Sequence, residues 1–208
     1  MRIFIVAGEP SGDVLGWRLM NCLRLLAPSR NFEFVGVGGF HMQNDKTFHS
    51  IFPMEEISVM GLLEVVPHIR KILRRIKYTA AEVERLKPNA IVTIDAKGFN
   101  FRLLQSLNAG GVSGIPRIHY VSPSIWAYNH RDPVKQLRNL KPLVDHTLAI
   151  LPFEKQYYDD TGVDCTFVGH PAIDSLLDGH FYRPEATPRQ TSCQSPKSGC
   201  NLRPFQPN

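Results

Sequence analysis

Short runs of apolar and β-branched residues alternate with longer amphipathic segments along most of the chain. This alternation is typical of parallel strands that are joined by crossover helices. We therefore predict a doubly wound α/β domain with a parallel sheet over residues 1–182. The candidate strands are Arg2–Ala7, Glu33–Val37, Ala90–Ile94, Arg117–Val121, Thr147–Leu151 and Cys165–Val168.

Helical signatures occupy the segments between these strands. Leucines at three-to-four-residue spacing precede Pro28, which ends the first segment. A proline at the first helical position, Pro133, is typical of a helix start, and a glycine such as Gly162 is typical of a helix end. The predicted helical segments are Asp13–Ala27, Ile69–Leu86, a stretch that begins at Asp132, and Pro152–Thr161.

The composition changes after residue 182. Proline, serine, threonine, glutamine and asparagine dominate there, and five prolines interrupt any helix or strand. We therefore predict a disordered tail over residues 183–208. The remaining residues, 1–182, form a single predicted domain, and we find no internal repeat in them.

The overall composition narrows the class of protein. With 43% hydrophobic and 21% charged residues over 208 positions, the chain is globular rather than wholly disordered or collagen-like. No run approaches the roughly 18–20 apolar residues that span a bilayer, and the start at Met1 has no export or import signal. The net charge of +5 attracts anions such as nucleotides, phosphorylated sugars or an acidic membrane. Four scattered cysteines indicate a reducing compartment.

The glycine-rich segment at residues 7–16 joins the first strand to the first helix. Open α/β sheets bind their ligands at this end of the strands, where free amides at a helix start hold anions or orient sugar hydroxyls. Its spacing matches neither a Walker loop nor GxGxxG. Ser11 and Asp13 are as well suited to cap the helix as to bind a ligand, whereas capping explains Glu9 less well. The candidate binding residues are Glu9, Ser11, Gly12 and Asp13.

Two other strand ends carry candidate site residues. Gly38 and Gly39 follow the second strand and either approach a ligand or simply turn the chain. Asp95 follows a strand that we expect to be central and buried, where a carboxylate is costly unless it is solvated, paired or used. We predict that Asp95 is a general base, with capping of the following helix as the alternative.

Hydroxyls and aromatic rings follow the later strands. Ser122, Ser124 and Trp126 suit a sugar or an apolar chain, although Trp126 is also suited to a core. His170 precedes a proline and is therefore extended, so that its ring faces either the cleft or solvent. The histidines and cysteines show no metal-ligand spacing, and we expect no metal and no cofactor.

A basic amphipathic segment follows an apolar stretch in the middle of the chain. Such a segment suits an anionic membrane surface, whereas a solvated basic face on a core-packed helix is the alternative. The candidate membrane or acyl contacts are Met60, Leu62, Leu63, Ile69, Arg70 and Arg74.

Taken in order, the motifs resemble those of the lipid-A-disaccharide synthase family. The matching segments are AGEPSGDVLG at 7–16, VGVGG at 35–39, SVMGLLEVV at 58–66, TIDAKGFNFR at 93–102, HYVSPSIWAY at 119–128, LPFEKQYYD at 151–159 and FVGHPAID at 167–174. This resemblance implies the Rossmann-like amino-terminal half of a two-domain GT-B glycosyltransferase.

The resemblance also implies a reaction. A 2,3-diacylglucosamine unit passes from UDP-2,3-diacylglucosamine to 2,3-diacylglucosamine 1-phosphate, in a metal-independent inverting displacement that releases UDP. Asp95 matches the family aspartate that activates the acceptor hydroxyl, and residues 9–13 match the first cleft loop. The implied partners are these two substrates and an anionic membrane surface, without nucleic acid.

Two departures from the family pattern carry further expectations. Lys97 and Gly98 stand where bacterial members read Pro-Asp, and they resemble plant members, which implies a mitochondrial enzyme without its targeting segment. A bacterial origin implies the cytoplasmic face of the inner membrane instead. The similarity stops where the UDP-binding donor domain begins, so we expect that domain to be missing and the chain to be a monomer.

Two other functions stay open at the level of sequence. One is a non-catalytic lipid- or sugar-binding truncated isoform, which the missing donor domain favours. The other is an unrelated nucleotide-binding Rossmann domain, which the absence of GxGxxG disfavours.

Overall fold

Seven parallel strands form one continuous sheet with helices on both faces, which confirms the predicted doubly wound α/β class. The computed structural model describes residues 1–58, 62–123, 137–159 and 161–173, and the side chains of residues 62–68 are outside this description. The predicted helix at Asp132 and the predicted tail at 183–208 lie outside the described residues.

The strands and helices alternate along the chain. The strands are β1 (Arg2–Ala7), β2 (Glu33–Val37), β3 (Phe48–Ser50), β4 (Ala90–Ile94), β5 (Arg117–Tyr120), β6 (His146–Ala149) and β7 (Asp164–Phe167). The helices are α1 (Pro10–Leu26), α2 (Phe40–Gln43), α3 (Leu62–Leu86) and α4 (Lys97–Ala109). Short 3-10 turns cover Met54–Glu56 and Lys155–Tyr157.

The spatial order of the strands is β3-β2-β1-β4-β5-β6-β7, so the direction of winding reverses between β1 and β4. Ile3 pairs with Ala90 and Ala7 pairs with Ile94 across this central pair. In open parallel sheets, such a reversal leaves a crevice outside the carboxyl ends of the two strands, because the helices that follow them lie on opposite faces.

Each face of the sheet has its own hydrophobic core. On one face, Met20 of α1 and Met42 of α2 are fully buried against Ile5 and Phe34. On the other face, α3 and α4 bury apolar side chains at helical spacing against Phe4 and Ile91; these side chains are Ile72, Ile76, Val83, Leu103, Leu104 and Leu107. Both faces are therefore covered, as continuous apolar strands require.

The predicted helix over residues 152–161 is wrong. Residues 155–157 form a 3-10 turn, and successive amides bond to the carbonyl three residues earlier, as from Tyr157 to Glu154 at 3.0 Å and from Thr161 to Tyr158 at 2.9 Å. The buried Glu154 carboxylate accepts the Leu151 amide at 3.0 Å and fixes the first of these turns. Local side-chain bonds of this kind compete with the α-helical pattern.

Two short elements had no predicted counterpart. Strand β3 and helix α2 have only three and four residues, too few for a periodic pattern to be visible. The predicted strands Thr147–Leu151 and Cys165–Val168 correspond to β6 and β7, but each begins and ends about one or two residues later than the observed strand. Among the described residues, we find no helix with the length and apolar character needed to cross a bilayer.

An ion pair fastens α3 to the 3-10 turn after β3. The Arg75 guanidinium donates to both Glu56 carboxylate oxygens at 2.7 Å, and Lys71 lies 3.4 Å from the same carboxylate. Arg75 also lies over the Phe52 ring at 4.6 Å. The pKa of Glu56 lies below its ordinary value, mainly because Arg75 donates these hydrogen bonds to its carboxylate.

Replacing Glu56 with glutamine should therefore lower the unfolding free energy by about 1–2 kcal/mol at pH 7. Because the folded-state pKa is lowered, this contribution is complete above the unfolded value of 4.5 and disappears as the pH falls through the folded value. Urea unfolding at pH 7 and pH 3 tests this, with the exposed Glu84→Gln on the same helix as the control. An equal loss at both pH values would contradict it.

Candidate active site at the carboxyl edge of the sheet

A cleft of about 440 Å³ lies at the carboxyl ends of β4, β5, β6 and β7. Ser11 and Arg18 of α1 form one wall, and Asp95 follows β4 at its base. His170 and Pro171, in the turn after β7, form the opposite wall. The structure therefore brings three of the predicted site residues, Ser11, Asp95 and His170, into one cleft beside the reversal of strand order.

Asp95 lies in a strained turn that separates β4 from α4. Asp95 and Ala96 have φ values of 45° and 42°, a left-handed conformation that is unfavourable for both residue types. The buried Asn100 amide holds the turn, since it donates to the carbonyls of Ile94 at 3.0 Å and Asp95 at 2.8 Å. Backbone strain maintained by surrounding bonds is typical of functional sites.

The alternative that Asp95 caps α4 is wrong for the described structure. The residue before that helix is Ala96, and no side chain caps its first turn among the residues described there. The Asp95 amide instead donates to the Tyr120 carbonyl at 2.9 Å, which ties the turn to the end of β5. The carboxylate is thus not committed to the helix and lines the cleft.

A glycine allows the loops after β1 and β4 to approach each other closely. A Cβ atom added at Gly8 would lie 2.6 Å from the Ala96 Cβ, a separation that side chains do not adopt. Any larger residue at position 8 would therefore separate the two loops and displace the turn that carries Asp95.

Two charged side chains, Glu9 and Lys97, interact electrostatically with Asp95. Burial, and secondly the Asp95 carboxylate, raises the pKa of Glu9 above its ordinary value. Burial also lowers the pKa of the Lys97 ammonium, against the opposing effect of the Asp95 and Glu154 carboxylates. Asp95 thus interacts with a carboxyl that holds its proton more tightly than usual and with an ammonium that holds its proton less tightly.

In the structure, the Asp13 side chain links helix α1 to helix α2. Its buried carboxylate accepts the amides of Gly39 at 2.8 Å, His41 at 2.8 Å and Met42 at 3.0 Å. These bonds join α1 to the start of α2, rather than capping α1 itself. A Cβ at Gly39 would lie 2.9 Å from the carboxylate, so a side chain there is excluded. The binding roles of Asp13, Gly38 and Gly39 stay predictions.

Ser122 is buried and is not one of the residues that line the cleft. Its hydroxyl is buried and lies 2.8 Å from the Tyr158 hydroxyl, which is also buried. Burial raises the pKa of Tyr158 to about 12, so this pair stays neutral at physiological pH. The bond anchors the loop after β5 to the turns after β6, and a direct substrate contact by Ser122 stays a prediction.

The other predicted residues fall into three groups. Gly12 is buried where α1 crosses the sheet, since an added Cβ would contact Ala7 and Ile94 at 3.5 Å. On α3, Ile69 is half-buried, and Arg70 and Arg74 are exposed. The residues or side chains outside the description are Met60, Leu62, Leu63, Ser124 and Trp126.

Sequence reasoning missed two cationic residues in this region, Arg18 and Lys97, as functional candidates. Arg18 lies on a helix whose apolar periodicity identifies it as a packing element, and its cleft partner is 153 residues away in sequence. Lys97 was recognised only as a departure from a family motif. Its position two residues after the strand-end carboxylate Asp95 is a signal that could have identified it.

The fold and the cleft define a class of protein: a doubly wound α/β domain with a carboxylate, a hydroxyl and a histidine at its switch-point crevice. Comparison with known proteins identifies the family. A family described as lipid-A-disaccharide synthetase matches residues 3–191, and the chain belongs to this lipid-A-disaccharide synthase family.

Individual relatives agree with this assignment. The chain is 42% identical over 196 residues to a lipid-A-disaccharide synthase of Rhodospirillum centenum, with 90% of this chain and 47% of the relative covered. It is also 42% identical over 188 residues to a protein of Arabidopsis thaliana named probable lipid-A-disaccharide synthase, mitochondrial, covering 88% of this chain and 40% of that protein. The chain thus spans a little under half the length of these relatives.

Replacing Asp13 with asparagine should lower the unfolding free energy by about 2–3 kcal/mol, because buried amides lose a charged acceptor. Ser11→Ala, an exposed change in the same first turn of α1, should shift it by less than about 0.5 kcal/mol. Urea unfolding of the two variants beside the parent chain measures both effects. Equal stability of all three proteins would show that the Asp13 bonds do not hold the loops.

Proposed function

We propose that this chain forms the acceptor-side half of a hexosyltransferase of lipid A biosynthesis. The donor is UDP-2,3-diacylglucosamine and the acceptor is 2,3-diacylglucosamine 1-phosphate. The position of Asp95, held by Asn100 in a strained turn at the base of the cleft, carries this proposal. Family membership supports the reaction class.

In the proposed step, Asp95 removes the proton from the acceptor 6-hydroxyl as that oxygen attacks the anomeric carbon of the donor. The new carbon–oxygen bond forms on the face opposite the departing UDP, so the configuration inverts. The proton goes to the Asp95 carboxylate, and the electron pair of the broken bond leaves with UDP. The UDP-sugar is a substrate, and the step requires no cofactor.

The other cleft residues orient the acceptor in this proposal. The exposed Ser11 hydroxyl and the His170 ring present hydrogen-bonding groups on opposite walls. The Glu9 carboxyl, whose pKa is raised by burial and by the Asp95 carboxylate, is assigned to a sugar hydroxyl beside Asp95. In this proposal, the backbone of Gly12, Gly38 and Gly39 is assigned to substrate binding, and Ser122, Ser124 and Trp126 are assigned to the sugar or its chains.

The proposal includes peripheral binding to an anionic membrane, through a surface on α3. This basic surface consists of Arg70, Arg74 and Lys77, and the half-exposed Leu73 and Tyr78 lie beside it on the same helix. Cationic side chains with apolar neighbours suit an acidic lipid surface. The apolar character of Met60, Leu62 and Leu63 and the half-buried Ile69 support an acyl contact beside it. By likeness to the Arabidopsis protein, the membrane is mitochondrial in a plant.

The reaction is tested in a chimaera in which this chain replaces the matching segment of the Rhodospirillum centenum relative. Asp95→Asn should reduce UDP release at least about 100-fold, because the base is lost, with acceptor binding retained. Asp159→Asn, which changes an exposed carboxylate away from the cleft, is the matched control. Turnover by Asp95→Asn equal to that of the control would remove Asp95 from the mechanism.

The membrane contact is tested by vesicle sedimentation. Replacing Arg70, Arg74 and Lys77 together with glutamine should weaken binding to phosphatidylglycerol vesicles roughly 100-fold, at about 1 kcal/mol for each charge. A control with the same change in charge replaces Arg30, Lys46 and Lys87, which are exposed elsewhere. Equal weakening in the two triple variants would show that net charge, and not this surface, binds the lipid.

A further inference from the structure

Arg18 connects two parts of the molecule that the sheet holds apart. Its guanidinium Nη1 donates to the Pro171 carbonyl at 2.6 Å, across 153 residues of sequence. Arg18 belongs to α1, which follows the central strand β1, whereas Pro171 follows the edge strand β7. Strands β4, β5 and β6 lie between β1 and β7 in the sheet. The contact therefore spans the cleft from one wall to the other.

The turn that receives this bond follows a poorly buried strand, and its residues 171–173 are helical. Its strand, β7, lies at the edge of the sheet, and three of its four residues are exposed. The turn begins at Gly169, whose φ is +82°, and Val168 and Ile173 on either side of it are exposed. A wall of this kind needs a tether if it is to keep a fixed position.

Within the turn, local bonds orient the His170 ring. The Ala172 amide donates to His170 Nδ1 at 3.2 Å, and the Ile173 amide donates to the His170 carbonyl at 2.8 Å. These bonds tie His170 to the helical residues 171–173, and Arg18 bonds to the Pro171 carbonyl of the same segment. Fixing that carbonyl therefore fixes His170 in the cleft.

We propose that Arg18 is a positioning residue that holds the turn at 169–172 across the cleft and thereby sets the place of His170 against the acceptor. This inference rests on the function proposed above, since the acceptor is the ligand whose binding it would affect. A guanidinium is suited to the task because its planar donors bond a carbonyl at fixed geometry, while the remaining donors face other partners.

The tether itself is tested without reference to activity. Hydrogen exchange of the 208-residue chain should be at least about tenfold faster in peptides over residues 166–173 for Arg18→Met than for the parent chain. Arg18→Lys, which keeps one donor, should restore most of the protection. Arg30→Met removes the same charge from the exposed segment between α1 and β2 and should leave these peptides unchanged. Unchanged exchange in Arg18→Met would overturn the proposal.

The consequence for the acceptor is tested in the chimaera by steady-state kinetics. Arg18→Met should raise KM for the acceptor about tenfold, equivalent to about 1.4 kcal/mol, with kcat changed by less than about twofold. Arg18→Lys should recover most of the affinity. A fall in kcat at unchanged KM, or no recovery by lysine, would overturn the positioning role.

An acceptor without its 1-phosphate separates positioning from direct recognition. A tether predicts that Arg18→Met weakens binding of both acceptors by the same factor. A loss confined to the phosphorylated acceptor would overturn the proposal in favour of a direct phosphate contact. If Arg18→Met speeds exchange at residues 166–173 but the chimaera releases no UDP, the tether is supported and the proposed reaction is contradicted.

Discussion

At the carboxyl ends of β1 and β4, the chain leaves the sheet toward opposite faces. The loops that follow these two strands pass so close to each other that a side chain at position 8 has no room. Gly8 and Ala96 meet at this point, where an added Cβ would lie only 2.6 Å from its neighbour. The same approach places the Asp95 turn beside the start of α1, so the cleft, its carboxylate and its hydroxyl all depend on it. The crevice is thus a consequence of strand order combined with one missing side chain.

The motif residues of this family divide into those that face the cleft and those that hold its loops. Ser11, Asp95 and His170 line the cleft. The buried Asp13 carboxylate, Ser122 hydroxyl and Asn100 amide nitrogen instead bond to neighbouring protein groups. A shared motif therefore reports on two physical tasks, and hydrogen-bond partners separate them where sequence similarity does not.

The fold was predictable from sequence because its strands are long apolar runs between amphipathic helices, and four of the predicted strands reproduce β1, β2, β4 and nearly β5. Strand β3 and helix α2 were not predictable, because neither shows a periodic pattern of its own. Hydrogen bonds to Asp13 stabilise α2, and pairing with β2 stabilises β3. The turns at 152–159 were mistaken for a helix because the proline start and glycine end are shared by both structures.

The site was predictable only where a residue's position along a strand carried the signal. Asp95 could be singled out because a carboxylate at the end of a buried strand is costly. Arg18 could not, because its partner Pro171 is 153 residues away and only the folded sheet brings the two together. The tie between Asp13 and residues 39–42 was hidden for the same reason, since no local pattern links them.

The fully buried His119, whose Nδ1 lies 2.9 Å from the Thr93 hydroxyl beneath the cleft, links folding to the proton concentration of the surroundings. Burial lowers the pKa of its ring from 6.5 to about 3, so the folded protein excludes a proton that the unfolded chain accepts. Between these values, each step toward acid favours unfolding through this one ring, and above about pH 6.5 the cost disappears. This buried ring thus makes the fold less stable in acid than at neutral pH.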